Sequence, residues 1–455
     1  MLDIIKMLAE VFRAQQKQLY MVGGTVRDVL LQRGPSNDGD LATDARPEEI
    51  KRLVAPTHPT AVVLVGERFG TVRLHYDDSI IEITTFRSER YDPESRKPEV
   101  CFGDSLEDDL ARRDFTINAL ARDPLNGHII DLFDGRQDLE DHILRAVGNE
   151  PDKRFNEDPL RLLRAVRFAA QLDFEIESGT RAAIARQANT LQKISRERIR
   201  DEMNKLLLSP HPAKGLDLLV GLGLMEWIIP EVIELRGVSQ RTATGRTSKD
   251  VYAHVLRVVE RSSARPVARW GALLHDIAKP RTKSVEDNKI HFFGHEDVGA
   301  YMARDILKRL HFDREFIQNV SQVVKLHMRA NAYTSDWTDG AVRRLMLDSG
   351  DILPDLLDLS RADITSYRID KVNRAAARVQ ELSERCQVLQ EEAERVPLRS
   401  PLDGNELMEL FERGPGPWLR PIKDHLLGLV IDGVLAADDK EEATRIARQI
   451  MHEQQ

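Results

Sequence analysis

Residues 20–43 read YMVGGTVRDVLLQRGPSNDGDLAT. Asp38 and Asp40 stand two positions apart, just after a turn-forming Gly34-Pro35-Ser36-Asn37. On a strand, positions i and i+2 point to one face, so these carboxylates converge. Two like charges held together repel unless a cation lies between them, and oxygen-only ligation suits Mg²⁺. Upstream, Met21-Val22 runs into Gly23-Gly24 and then a helical pattern of Val26, Val29 and Leu30. Glycines let the backbone approach a triphosphate closely, and a helix N-terminus favours negative charge. Arg27, one turn inside that helix, could take a phosphate bidentately. The stretch therefore reads as strand, glycine turn, helix, turn, strand. Either half alone is commonly a plain turn or a solvated loop; their joint spacing is what points to nucleotide and metal.

Further polar groups extend the pattern. Two alternating runs, AVVLVGERFGTVRLHY and SIIEITTFRSER, flank Asp77-Asp78-Ser79 and predict a hairpin continuing the same sheet. Glu82 lies in its second strand, where a third carboxylate would complete a two-metal site; an outward-facing strand glutamate fits the pattern equally well. In LEDDLARRDFTINALA (106–121), Arg113 and Asp114 could meet a triphosphate and a ribose hydroxyl. In NEDPLRLLRAVRFAAQLDFEI (156–176), Asn156 is expected to cap a helix whose first turn holds Glu157, Asp158 and Pro159. Asp158 and Arg161, three apart, then share a face. Such a pair offers an acceptor and a donor to a base edge, though spacing alone favours a salt-bridged surface. Arg164 and Arg167 continue the basic edge.

A second set of groups begins at His254. His275-Asp276 closes the run RWGALLHDIAKP, His295 opens GHEDVGA, His327 lies in VVKLHMR, and Asp363 lies in SRADITS. Histidines from several helices beside a carboxylate pair are a divalent-metal constellation. Imidazole ligation suits Ni²⁺, Mn²⁺ or Fe²⁺ better than Mg²⁺. Each histidine alone is more simply a partly buried surface residue; it is their order that makes the case.

These groups need a scaffold, and 455 residues suffice for two to four domains. Hydrophobic residues make up 41% and charged residues 31%, as in a soluble globular protein. No apolar run reaches the length of a membrane span, so no membrane partner is expected. The opening MLDIIKMLAEVFRAQQKQLY reads as an amphipathic helix, not a signal. Two cysteines, Cys101 and Cys386, exclude a disulfide framework and a thiolate zinc site and fit a reducing cytoplasm. A net charge of −9 argues against nucleic acid, but arginines cluster at 154–167 and 196–200. Residues 88–99, with two prolines, read as a mobile loop beside the presumed site, and 236–250 as a linker. Residues 194–208 form an Arg-rich helix capped by Ser195, and 370–397 a long charged helix.

The stretches 22–43, 81–121 and 156–168 together resemble class II tRNA nucleotidyltransferases of the polymerase β superfamily, which include bacterial poly(A) polymerases. The second set resembles the HD phosphohydrolase domain, with His295 and His327 as the extra histidines of some members. The resemblance covers nearly the whole chain. It implies an α+β fold: a mixed-sheet head (1–148), a helical neck with the base-selecting motif (149–235), an HD domain (236–370) and a helical RNA-binding tail (371–455). It implies Asp38, Asp40 and Glu82 as catalytic groups, with Mg²⁺ on the first two. Gly23, Gly24, Arg27, Arg113, Asp114, Asp158, Arg161, Arg164 and Arg167 become the nucleotide site. The implied reaction is template-independent addition of CCA to the 3′ end of tRNA from CTP and ATP, releasing pyrophosphate. The loop at 88–99 would help switch nucleotide choice, and its full length favours addition of the final A. CC-adding and A-adding enzymes share these motifs; poly(A) polymerases usually lack the HD groups. A metal phosphohydrolase with a retired polymerase site is a further alternative, against which the intact acidic pair argues.

Overall fold

The structure is a computed structural model and describes residues 1–33, 37–65, 70–90, 99–103, 105–241, 248–287, 289–364, 369–395 and 399–453. The chain divides into two compact units, Met1–Pro230 and Glu231–Gln455.

The first unit opens with α1 (Leu2–Ala14), whose Ile5, Leu8, Ala9 and Phe12 are buried at helical spacing. Then come β1 (Leu19–Val22), α2 (Gly24–Leu30), β2 (Asp38–Thr43), α3 (Pro47–Val54), β3 (Ala61–Val65), β4 (Thr71–Tyr76) and β5 (Ser79–Thr85). The expected hairpin is β4–β5, turning at Asp77-Asp78. Burial along β5 alternates strictly, with Ile81 and Ile83 inward. A small antiparallel pair, β6 (Arg87–Arg90) and β7 (Glu99–Phe102), follows. Most of the segment expected as a mobile loop, 91–98, lies outside the described residues. After α4 (Leu106–Ala111) come β8 (Leu120–Arg122), β9 (Ile129–Asp131), α5 (Gly135–Glu140) and β10 (Ile143–Leu144). Seven strands form one mixed sheet in the order β3-β4-β5-β2-β1-β8-β9. β2 and β5 run parallel; the other neighbours run antiparallel.

The remainder of this unit is helical: α6 (Pro151–Glu157), α7 (Leu160–Leu172), a short β11 (Glu175–Ile176), α8 (Ser178–Gln187), α9 (Arg196–Leu207) and α10 (Pro212–Gly221). The predicted cap of a helix by Asn156 is not formed. Asn156 and Glu157 end α6, Asp158 is extended (φ −144°), and α7 starts at Leu160. Pro159 stands between α6 and α7, inside what the spacing reads as one helix. Ser195 does cap α9, accepting from the Arg198 amide. Leu160, Leu163 and Phe168 are buried, and the Phe168 ring meets Phe115 edge-on at 5.8 Å. That contact fixes α7 against the sheet domain.

Helix α11 (Pro230–Glu234) leads into the second unit, which contains the paired β12 (Ser239–Arg241) and β13 (Ser248–Asp250), α12 (Val251–Arg261), α13 (Pro266–Leu274), the paired β14 (Ser284–Glu286) and β15 (Lys289–His291), α14 (His295–Arg309), α15 (Arg314–Asn331), α16 (Asp339–Ser349) and α17 (Leu353–Ala362). The segment expected as a linker thus holds two short strands; its middle, 242–247, is outside the described residues. The long charged helix is α18 (Ile369–Arg395). It is followed by α19 (Gly404–Leu410), α20 (Leu419–Ile431) and α21 (Lys440–Glu453), packed around Leu407, Ile422, Leu426 and Ala443. Among the described residues no helix is long and apolar enough to cross a membrane.

Candidate functional site

Asp38 and Asp40 lie on β2 with exposed side chains, and Gly39 between them is buried against Ile5 and Met1 of the N-terminal segment. Helix α1 therefore covers one face of the strand and leaves the two carboxylates on the other. Register sets Asp40 opposite Glu82, and Glu82 opposite Arg73. Glu82 accepts from the Arg73 guanidinium at 2.7 and 2.9 Å. Desolvation and then the neighbouring Glu82 push the Asp40 carboxyl above its ordinary value, with Asp38 adding to the effect. Three oxygen-only groups that repel one another this way suit a hard divalent cation.

The glycine turn stands beside this face. Gly23 has φ +63°, a left-handed conformation that favours glycine, and a Cβ there would lie 2.7 Å from Arg113 Nη1. The Asp40 amide donates to Thr25 Oγ1 at 2.8 Å, tying β2 to the start of α2. Around the turn opens a crevice of about 490 Å³. Gly23, Gly24, Arg27, Asp40, Arg113, Asp114, Asp158, Arg161, Arg164 and Arg167 all line it. Asp38 and Glu82 stand outside that lining. Arg112, Asn118, Phe168 and Arg198 also line it, although the sequence reading did not assign them there. Arg112 next to Arg113, and the Arg-rich run at 196–200, were signals for two of them.

Hydrogen bonds hold the guanidinium groups in place. Arg27 binds Asp28 through Nε (2.8 Å) and Nη2 (3.0 Å), and Asn118 Oδ1 through Nη1 (2.8 Å). Asn118 in turn donates to Asp114 Oδ1 (3.1 Å). Arg164 donates to Asp114 Oδ2 from Nε (2.8 Å) and Nη2 (2.5 Å). Burial would raise the Asp114 carboxyl, but Arg164 and Asn118 draw it down to about 2. With the Phe115 amide also bound at 2.8 Å, its four acceptor positions are filled. Asp109 holds both Arg112 (2.8 Å) and Arg113 (3.0 Å). The Arg27, Arg164 and Arg167 guanidiniums gather around the Phe168 ring, Arg167 at 3.9 Å from its centre. Glu202 of α9 secures Arg167 from behind at 2.6 Å.

The expected Asp158–Arg161 pair is a correction. Arg161 donates to Glu157 (2.6 Å) and to the backbone carbonyls of Arg154 (3.0 Å) and Arg112 (2.8 Å). Asp158 pairs with Arg198 of α9 at 2.8 Å. The i,i+3 rule assumes one continuous helix, and here the chain is extended at residue 158. Both groups still reach the crevice, each held by a different partner.

In the second unit, α12 carries His254, His275 caps the end of α13, α14 starts at His295 and α15 carries His327. Two ligand groups share Asp276: His254 with His275, and His295 with His327. His254 Nε2 lies 3.1 Å from Asp363 Oδ1 and 3.4 Å from Asp276 Oδ2. The Nδ1 atoms of His275, His295 and His327 meet the carbonyls of Ala272, Phe292 and Val324 at 2.9, 2.7 and 2.6 Å. An Nδ1–H held by a carbonyl leaves the Nε2 lone pair for a metal. His295 Nε2 is buried with no hydrogen-bond partner among the described residues. The donor set therefore fits a divalent cation. Burial would raise Asp276, yet His275 and Lys279 hold it well below the carboxylate range. Burial lowers His327 to about 4, keeping it neutral as a ligand must be. Lys279, which donates to Asp276 at 2.8 Å, and Asn331, which donates to Asp363 at 2.7 Å, were not anticipated. Each sits one helical turn from an anticipated residue.

Residues 19–145 match the poly A polymerase head domain, 173–235 the probable RNA and SrmB-binding site of polymerase A, and 249–368 the HD domain. The chain is 34% identical over 438 residues to the CCA-adding enzyme of Enterococcus faecalis, covering 94% of this chain and 91% of that protein. It is 48% identical over 210 residues to the CCA-adding enzyme of Lactobacillus helveticus; that match spans 46% of this chain and about half (51%) of the relative. A solved structure of the Bacillus stearothermophilus CCA-adding enzyme in complex with CTP superposes with TM-score 0.70 and 27% identity, over 98% of this chain and 97% of that one.

Proposed function

The chain belongs to the family of CCA-adding enzymes and is a nucleotidyltransferase dependent on divalent metal, and we propose that it adds CCA to the 3′ end of tRNA, using CTP and ATP as substrates and no template. One observation supports this above all: a single crevice brings together the glycine turn, Asp40 and the Asp158–Arg161 segment.

In this reading Asp38 and Asp40 hold Mg²⁺, with Glu82 completing the carboxylate set. When bound, the metal lowers the pKa of the attacking hydroxyl and neutralises phosphate charge. The backbone of Gly23 and Gly24 approaches the triphosphate, and Arg27 and Arg113 orient it. Asp114 anchors Arg164 and turns an oxygen to the ribose hydroxyl when the nucleotide engages that arginine. Phe168 spaces Arg27, Arg164 and Arg167 along the crevice wall. Arg161 offers its donors and Asp158 its acceptor to the Watson–Crick edge, so that side chains choose cytosine and then adenine. The tRNA 3′-oxygen bonds to the α-phosphorus, and the bond to pyrophosphate breaks. We read the chain as head (1–148), neck (149–235), HD domain (236–370) and tail (371–455), with the tail contacting tRNA and the enzyme working in the cytoplasm.

The HD cluster supports a second reading alongside the first. His254, His275, Asp276, His295, His327 and Asp363 would hold a transition metal (Ni²⁺, Mn²⁺ or Fe²⁺) that supplies activated water for phosphoester hydrolysis.

The test supplies tRNA lacking its 3′ end with CTP alone, ATP alone or both, in the presence of Mg²⁺. CMP incorporation followed by one AMP is expected. Stopping after CMP would make it a CC-adding enzyme, AMP on a CC-ended tRNA alone an A-adding one, and a long A tract a poly(A) polymerase. Asp38→Ala and Asp40→Ala should each abolish incorporation; intact incorporation in either rejects the assigned metal site.

A further inference from the structure

A cavity of about 150 Å³ adjoins the HD cluster, between the C-terminal ends of α15 and α17 and the side of α18. It shares one group with the cluster. Asp363 lines the cavity, its Oδ1 facing His254 at 3.1 Å while its Oδ2 accepts from Asn331 at 2.7 Å. Its floor also carries Ser360, which is 2% exposed and whose Oγ has no hydrogen-bond partner among the described residues. Ala375 and Val379 of α18 form an apolar wall, and Arg378 stands exposed at the rim.

We propose that this cavity is a sugar-binding subsite of the HD cluster, which takes the alcohol portion of a phosphate ester whose phosphate lies on the metal ligands. The proposal rests on the phosphohydrolase reading above. Size and chemistry select the ligand. A cavity of about 150 Å³ accepts one five- or six-membered ring. An aromatic ring would leave Ser360 Oγ and the free oxygen of Asn331 unpaired, whereas ring hydroxyls satisfy both. The apolar wall meets the carbon face of the sugar, and the Arg378 guanidinium donates to a ring hydroxyl at the entrance. Asp363 then links the two halves of the site, its one carboxylate spanning from the metal ligands to the sugar.

The test is calorimetric titration of the full chain loaded with Mn²⁺, using inorganic phosphate, phenyl phosphate and ribose 5-phosphate. Heats from an Asp276→Ala chain, which lacks the HD ligand set, are subtracted to remove binding in the nucleotide crevice. Ribose 5-phosphate should bind about tenfold more tightly than either other probe. Ser360→Ala and Arg378→Ala should each remove most of that advantage while Mn²⁺ and inorganic phosphate bind as before. Thermal unfolding of Ser360→Ala should be unchanged or higher, since an unpaired buried hydroxyl is removed. If phosphate binds and the ribose ester binds no better, or if both variants keep the advantage, the subsite is rejected and the HD reading stands. If inorganic phosphate does not bind the loaded chain at all, the HD reading falls and the subsite with it.

Discussion

Asp114→Asn probes the organisation of the crevice at its most connected point. The Asp114 side chain is 7% exposed and accepts from Arg164, Asn118 and the Phe115 amide. Its carboxyl lies at about 2 instead of the ordinary 3.8, a gap worth about 2 kcal/mol of folding stability at neutral pH. The sign follows from a depressed pKa. The contribution is present above about pH 4 and is lost as pH falls toward 2, with roughly half of it gone by pH 3. Asparagine keeps the shape but has one acceptor oxygen and an amide donor, which must face either Arg164 or Asn118. Native-state hydrogen exchange of the α7 amides in the full chain should therefore show a loss of about 2 kcal/mol at pH 7. The difference from the unmodified chain should shrink to about 1 kcal/mol by pH 3. Arg164 loses its anchor as well, so CTP should bind about tenfold more weakly. Equal protection at pH 7, or a difference that does not change down to pH 3, would refute the electrostatic account.

Three further outcomes are expected. Gly23→Ala forces a side chain into φ +63° with its Cβ 2.7 Å from Arg113 Nη1; thermal unfolding should register a loss of about 2 kcal/mol, and CTP affinity should drop at least tenfold. Glu157→Ala leaves Arg161 with the Arg154 and Arg112 carbonyls alone. A charge-assisted hydrogen bond is worth roughly 1.5–3 kcal/mol, so the preference for CTP over UTP in kcat/KM should narrow about tenfold, and an unchanged preference would remove Arg161 from base selection. Asp276→Ala, assayed by equilibrium dialysis against Mn²⁺, should lose the HD-bound ion while CMP incorporation stays within about twofold of the unmodified chain; a parallel fall in both would show that the two chemistries are not separable.

The sequence revealed elements whose signals are local. Strand, glycine turn and helix at 19–30 follow from adjacent residues, as does the alternation that makes the β4–β5 hairpin. Candidate site groups were also legible as types, because Asp, Arg and His at these spacings have few other uses in combination. Partnerships were not. Arg161 and Asp158 lie close enough in sequence to suggest a pair, yet their partners are Glu157 and Arg198, forty positions from Asp158. The choice depends on the break at Asp158-Pro159 and on α9 packing behind α7. Asn331 and Ser360 each lie one turn from an anticipated residue, His327 and Asp363, but nothing in a single sequence says that the ends of α15 and α17 meet.

The same distinction explains why a net charge of −9 misleads about the crevice. Its arginines are not loose cations. Arg27 is matched by Asp28, Arg112 and Arg113 by Asp109, Arg161 by Glu157, Arg164 by Asp114, Arg167 by Glu202 and Arg198 by Asp158. Nearly every positive charge brought to the site carries a compensating negative one, so composition registers no excess. A guanidinium has five N–H donors, and a carboxylate occupies two at most in a bidentate pair. The remaining donors are left in fixed directions by the partner that cancels the charge. Such a crevice recognises a nucleotide through direction more than through field strength. On the proposed reading, the rest of the triphosphate's charge is met at the Asp38–Asp40 face, where burial, Glu82 and Asp38 act together to raise the Asp40 carboxyl and a divalent cation suits the oxygen ligands.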